Sequence, residues 1–106
     1  MAFITRYRGH LREYSEEVDE SMLFQEVTLD EYLALQYPTF REANHPEQAR
    51  IERAEIQAAT MQGDRLWLWR RIDESNRTDG SASEWGGLAV TRGGKIIRAW
   101  LVWMEH

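Results

Sequence analysis

The side chains that most often carry chemistry are sparse in this chain and poorly spaced for it. His10, His45 and His106 are dispersed, and none pairs with a carboxylate at ligand spacing, so no metal site is expected. Ser15, Ser21, Ser75, Ser81 and Ser83 lack the setting of a nucleophile elbow. There is no cysteine, which excludes disulfides and thiolate metal sites and fits a reducing compartment. No glycine-rich loop is placed to cradle a phosphate, because Gly86-Gly87 lies within a strand-like run and marks a bulge or bend. No cofactor is expected. Arginine and tryptophan remain. All five tryptophans lie beyond residue 66, interleaved with Arg65, Arg70, Arg71, Arg92 and Arg98. Those arginines either form a basic strip or occupy alternate solvent-facing positions. A net charge of −5 gains nothing from counterion release on a phosphate backbone, so nucleic acid is disfavoured.

The elements that position these residues are three apolar runs separated by turn residues. They read RLWLWRRID after Gly63-Asp64, EWGGLAVT over 84–91, and KIIRAWLVWM over 95–104. Between the last two stands Arg92-Gly93-Gly94, a hairpin signal. Alternation puts Leu66, Leu68 and Arg70 on one face of the first strand and Trp67, Trp69 and Arg71 on the other. On the last strand Ile96, Arg98, Trp100 and Val102 oppose Ile97, Ala99, Leu101 and Trp103. The polar stretch 74–83 reads as a hairpin connection.

The N-terminal half is less regular. Ile4, Tyr7, Leu11 and Tyr14 have helical spacing and predict a helix over 4–17, which Gly9 weakens. Met22-Leu23-Phe24 is a brief strand or an irregular wall. Thr28, with Glu31 three residues later, forms a capping box and opens a helix over 28–37, which Pro38 ends. Its apolar stripe holds Leu29, Tyr32, Leu33 and Leu35–Gln36. Over 44–61 local rules favour helix. Asn44 could cap it, Pro46 could sit in its first turn, and Ile51, Ala54, Ala58 and Met61 share a face. At 106 residues, 42% hydrophobic and 29% charged, the chain is expected to be one globular domain that buries about two thirds of its unfolded surface. The start, MAFITRYRGH, has no signal-peptide core and no run approaches a membrane span, so the expected location is cytoplasmic.

Taken in order, IQAATMQGDRLWLWRRID, a polar turn and EWGGLAVTRGGKIIRAWLVW resemble the C-terminal half of the NTF2-like superfamily, in its SnoaL-like and ketosteroid-isomerase-like branch. The resemblance covers about residues 28–104. It implies an α+β fold, a curved antiparallel sheet wrapped on N-terminal helices into a cone with an apolar cavity. It also turns 48–61 into a strand, against local propensity. With about 27 residues before the helix at 28–37, the cone is shortened on its N-terminal side, and its wide end is more open or is completed by a partner chain.

The resemblance also implies site residues. The isomerase branch needs a carboxylate base, which falls near Val18, so a slipped register supplies Asp19 or Glu20. Tyr14 or Tyr7 would be the phenol partner. The position of the branch's protonated acid falls at Leu88 or Ala89, which do not ionise, so that activity is not assigned. SnoaL-like proteins turn the residue matching Trp100 inward, which brings Arg98 to the cavity as an anion or carbonyl anchor, with Tyr32 and Trp85 as further lining. The alternative is that the tryptophans simply pack against the helices. The outer sheet face often dimerises in this superfamily, which implies a homodimer through Trp67 and Trp69. Two functions follow: binding of a small, largely apolar molecule, with any catalysis being isomerase- or cyclase-type proton transfer by Asp19 or Glu20 with a tyrosine partner, or a non-enzymatic interaction module with a filled core.

Overall fold

The computed structural model describes residues 4–6, 11–37, 46–73 and 83–105. Three long strands form the spine of a six-stranded antiparallel sheet: β4 (Arg65–Asp73), β5 (Ser83–Arg92) and β6 (Lys95–Glu105). β3 (Leu23–Val27) lies beside β4 at one edge. The short strands β1 (Ile4–Arg6) and β2 (Arg12–Glu13) share the far side of β6. The strand runs read from alternation thus hold to within a residue or two.

Turn chemistry fixes the hairpin. Arg92 pairs with Lys95, leaving a two-residue loop in which Gly93 and Gly94 have φ of 61° and 82°. Two consecutive left-handed residues match the twist of the flanking strands and suit glycine. The register of β5 on β6 shifts at Gly86/Gly87, where a bulge or bend was expected. Large rings cross this point on both faces. A Cβ on Gly86 would overlap the Trp103 ring, and one on Gly87 would overlap the Trp100 carbonyl.

Helix α1 spans Leu29–Gln36, with the capping box complete: Glu31 N–H donates to Thr28 Oγ1 at 3.1 Å and Thr28 N–H to Glu31 Oε1 at 2.8 Å. Helix α2 spans Pro46–Ala59. The strand implied for 48–61 is therefore corrected to helix, as local propensity favoured, and the family resemblance loses its first strand. The buried face of α2 differs from the expected one. Ile51 and Met61 are exposed and Ala54 and Ala58 face outward, while Glu52 and Ile56 are buried and Ala49 and Ala59 pack on the core.

The helix expected over 4–17 is also corrected. Residues 4–6 and 12–13 are strands on β6, and 15–17 and 20–22 are single 3₁₀ turns. Pairing of Arg12 with Leu101 and of Glu13 with Trp100 supplies main-chain bonds that a helix interrupted by Gly9 would have to supply alone. Tyr7, His10, Pro38, Asn44, His45, the connection 74–82 and His106 lie outside the described residues.

The sheet is covered on both faces. Against α1 and α2 lie Leu66, Leu68, Leu88, Val90, Trp100 and Val102. On the other face Trp69, Ala89, Ala99 and Leu101 lie under Val18, Tyr14 and Met22 from the segment that carries the 3₁₀ turns. Trp69 and Trp100, on opposite faces, are both 0% exposed. Each ring removes ~150–250 Å² from water, an upper-bound stabilisation of about 4–6 kcal/mol apiece. No helix among the described residues is long and apolar enough to cross a membrane.

Candidate functional site

Among the described residues, one carboxylate lies inside the core. Glu52 is 2% exposed, between α2 and α1. Tyr32 Oη donates to its Oε1 at 2.5 Å, and Tyr37 Oη donates to its Oε2. Each carboxylate oxygen thus has its own tyrosine hydroxyl. The local reason is spacing. Tyr32 lies on the buried stripe of α1, and Tyr37 is its C-cap residue, with its N–H bonded to Leu33 O at 2.7 Å. Ile56, one turn after Glu52, anchors the same face of α2 in the sheet-side core.

Of the residues implied as a pocket, Tyr32 and Trp100 come together in this core. Arg98 lies on the same face, its guanidinium 5.2 Å from the centroid of the Trp100 ring, and Arg98 Nε donates to Glu13 Oε1 at 2.7 Å. Arg98 therefore faces a carboxylate of its own chain. Burial works against the Glu13 carboxylate, but hydrogen bonds from Ser15 and Arg98 outweigh it and hold its pKa below the ordinary value. Among the described residues, Trp100 Nε1 is buried without a hydrogen-bond partner. Trp85 belongs to the opposite face, where the Arg71 guanidinium lies 4.5 Å from its ring centroid.

The implied catalytic residues lie on that opposite side too. Tyr14 stacks on Trp69, with centroids 5.7 Å apart and planes 4° apart, and Arg71 donates to its hydroxyl at 3.4 Å. Asp19 is exposed and caps the turn at 20–22 by accepting from Ser21 N–H at 2.9 Å. Glu20 is exposed at the rim of a surface groove of about 520 Å³. The sheet separates Asp19, Glu20 and Tyr14 from Arg98, Trp100 and Tyr32, so the two sets do not share a cavity. Trp69, expected at a dimer face, is covered by Tyr14 of its own chain. Trp67 is half-buried and donates from Nε1 to Thr91 Oγ1 at 3.1 Å.

Sequence reasoning missed Glu52. The available signal was Ala49, Ile56 and Ala59 at helical intervals, a stripe that becomes continuous only when Glu52 is admitted to it. Among the described residues no group of three histidine, aspartate or glutamate side chains could hold a metal. Comparison with protein-family models, with curated proteins and with solved structures finds no match.

Proposed function

We propose that this protein is a non-enzymatic interaction module whose core is filled by its own side chains. The observation that carries this reading is the occupancy of the space between the helices and the sheet. Trp100, Tyr32, Ile56 and Leu88 meet there at 0–2% exposure. Both oxygens of Glu52 accept tyrosine hydroxyls, which gives that carboxylate a structural task. A general base needs an oxygen aimed at a substrate proton. The flat form of the molecule, 44 × 36 × 19 Å across its Cα atoms, is consistent with one sheet and one layer of helices.

The test is methyl NMR during titration with benzene and with anilinonaphthalene sulfonate. A filled core leaves the Ile56, Leu88 and Val90 methyl shifts unchanged. Saturable shifts confined to those methyls would replace this reading with the second one, binding of a small apolar molecule in an NTF2-like cone. Trp100 Nε1, buried with no hydrogen-bond partner among the described residues, is the observation in favour of that second reading, and the helix at Pro46–Ala59 counts against its family basis.

A further inference from the structure

The surface groove beside Glu20 has a composition that the core does not. Trp67 forms part of its wall, and Gly63, Gly93 and Gly94 form its lips, where an added Cβ would meet nothing within 4 Å. Two charged side chains line it. Arg65 donates to Glu26 at 3.1 Å. Glu20 has no ion-pair partner among the described residues. The groove therefore offers an indole and a carboxylate that no described cation pairs with, the pair of groups that holds an organic cation.

The setting selects the kind of molecule that brings the cation. Residues 13–31 contain eight carboxylates and no lysine or arginine; Glu13, Glu17, Glu26 and Asp30 are ion-paired with arginines from other elements, which leaves Glu16, Asp19, Glu20 and Glu31 without an ion pair among the described residues. This segment includes β3, the last strand of the sheet order, whose outward edge bonds to no described strand. An open strand edge accepts an extended chain through main-chain bonds. A second copy of this protein would bring Glu16, Asp19 and Glu20 against the same three acids, and like charges beside an edge oppose such pairing. A basic chain finds complementary charge instead.

The geometry points to a docking site for an extended basic segment of a partner protein, with one lysine or arginine side chain seated between Trp67 and Glu20. This inference rests on the interaction-module reading and names its partner by charge.

The experiment uses the full chain and a twelve-residue peptide of alternating arginine and valine, followed by NMR on the Trp67 indole N–H and by calorimetry. Saturable binding is expected, weakened by added salt. Trp67→Ala and Glu20→Gln should each weaken it roughly fivefold, and Glu16→Gln, outside the groove, should leave it within about twofold. Glu20→Gln alters an exposed side chain, so its result stands if Trp67→Ala does not fold. Equal losses for Glu16→Gln and Glu20→Gln would overturn the site in favour of diffuse attraction. Equal binding of a glutamate–valine peptide, or the same indole shifts with arginine amide alone at the same concentration, would also overturn it. The mass of the recovered peptide separates the two proposals: a chemically altered peptide contradicts the non-enzymatic reading, whereas failure to bind contradicts only the docking site.

Discussion

Removing one oxygen acceptor from the core should show how far Glu52 holds α1 to α2. Tyr32 and Glu52 are both 2% exposed and their polar atoms are 2.5 Å apart. A hydrogen bond contributes about 0.5–1.5 kcal/mol net, and about 1.5–3 kcal/mol when one partner is charged. In Glu52→Ala both tyrosine hydroxyls lose that acceptor, at about 1–3 kcal/mol each, and the lost volume adds to the cost. The sum is a large share of the ~5–15 kcal/mol that stabilises a domain. Tyr32, Tyr37 and Glu52 have other interactions as well, so single substitutions overstate the pair. The cycle Tyr32→Phe, Glu52→Met and the double variant removes that excess, since methionine is close in size and offers no carboxylate or amide oxygen. Measured by urea denaturation with far-ultraviolet circular dichroism, the coupling should be roughly 1–3 kcal/mol. A coupling within about 0.5 kcal/mol of zero would refute the structural role of Glu52.

Three further outcomes follow from the geometry. Gly87→Ala places a Cβ on the Trp100 carbonyl, and overpacking against backbone should cost about 3 kcal/mol or more; Gly93→Ala meets open space and should cost only about 1 kcal/mol for its positive φ. Thermal melts should separate the two by several degrees, and equal losses would contradict the close approach at the bulge. Arg92 grips Asp64 with Nε and a terminal nitrogen, both at 2.8 Å, and the Met61 N–H adds a third bond, holding the Asp64 pKa at about 2, below its usual 3.8. The unfolded chain takes up that proton first, so the contribution is complete above about pH 4 and is lost as pH falls through about 2. The melting-temperature gap between wild type and Asp64→Asn should shrink over that interval, and a gap constant from pH 6 to pH 2 would contradict the pairing. Tyr14→Ala uncovers Trp69 and should destabilise by about 2 kcal/mol in urea titrations, while Tyr14→Phe keeps the stack and should stay within about 0.5 kcal/mol; equal effects would shift the weight to the hydroxyl.

The strands were legible because their signals are local. Alternation in 65–73 and the Gly93-Gly94 turn state their conformation without help from the rest of the chain. The capping box at Thr28 and Glu31 is equally self-contained. The N-terminal segment was not legible, since the spacing of Ile4, Tyr7, Leu11 and Tyr14 fits a helix, while the main-chain partners that decide the outcome lie on β6, about ninety residues away. The helix at Pro46–Ala59 was legible from propensity and obscured by the family pattern. Its buried face was hidden by chemistry: a glutamate counts as a surface residue until Tyr32 and Tyr37 are seen beside it. The same dependence on distant partners separated the implied site residues, because alternation assigns a face within one strand and cannot say what covers that face.

The filled core is the central claim, and a crystal structure under xenon pressure tests it most directly. The account predicts no xenon between the helices and the sheet, with Trp100, Tyr32, Ile56 and Leu88 in mutual contact. Ordered xenon beside Trp100 and Leu88 would show an apolar cavity there and contradict it.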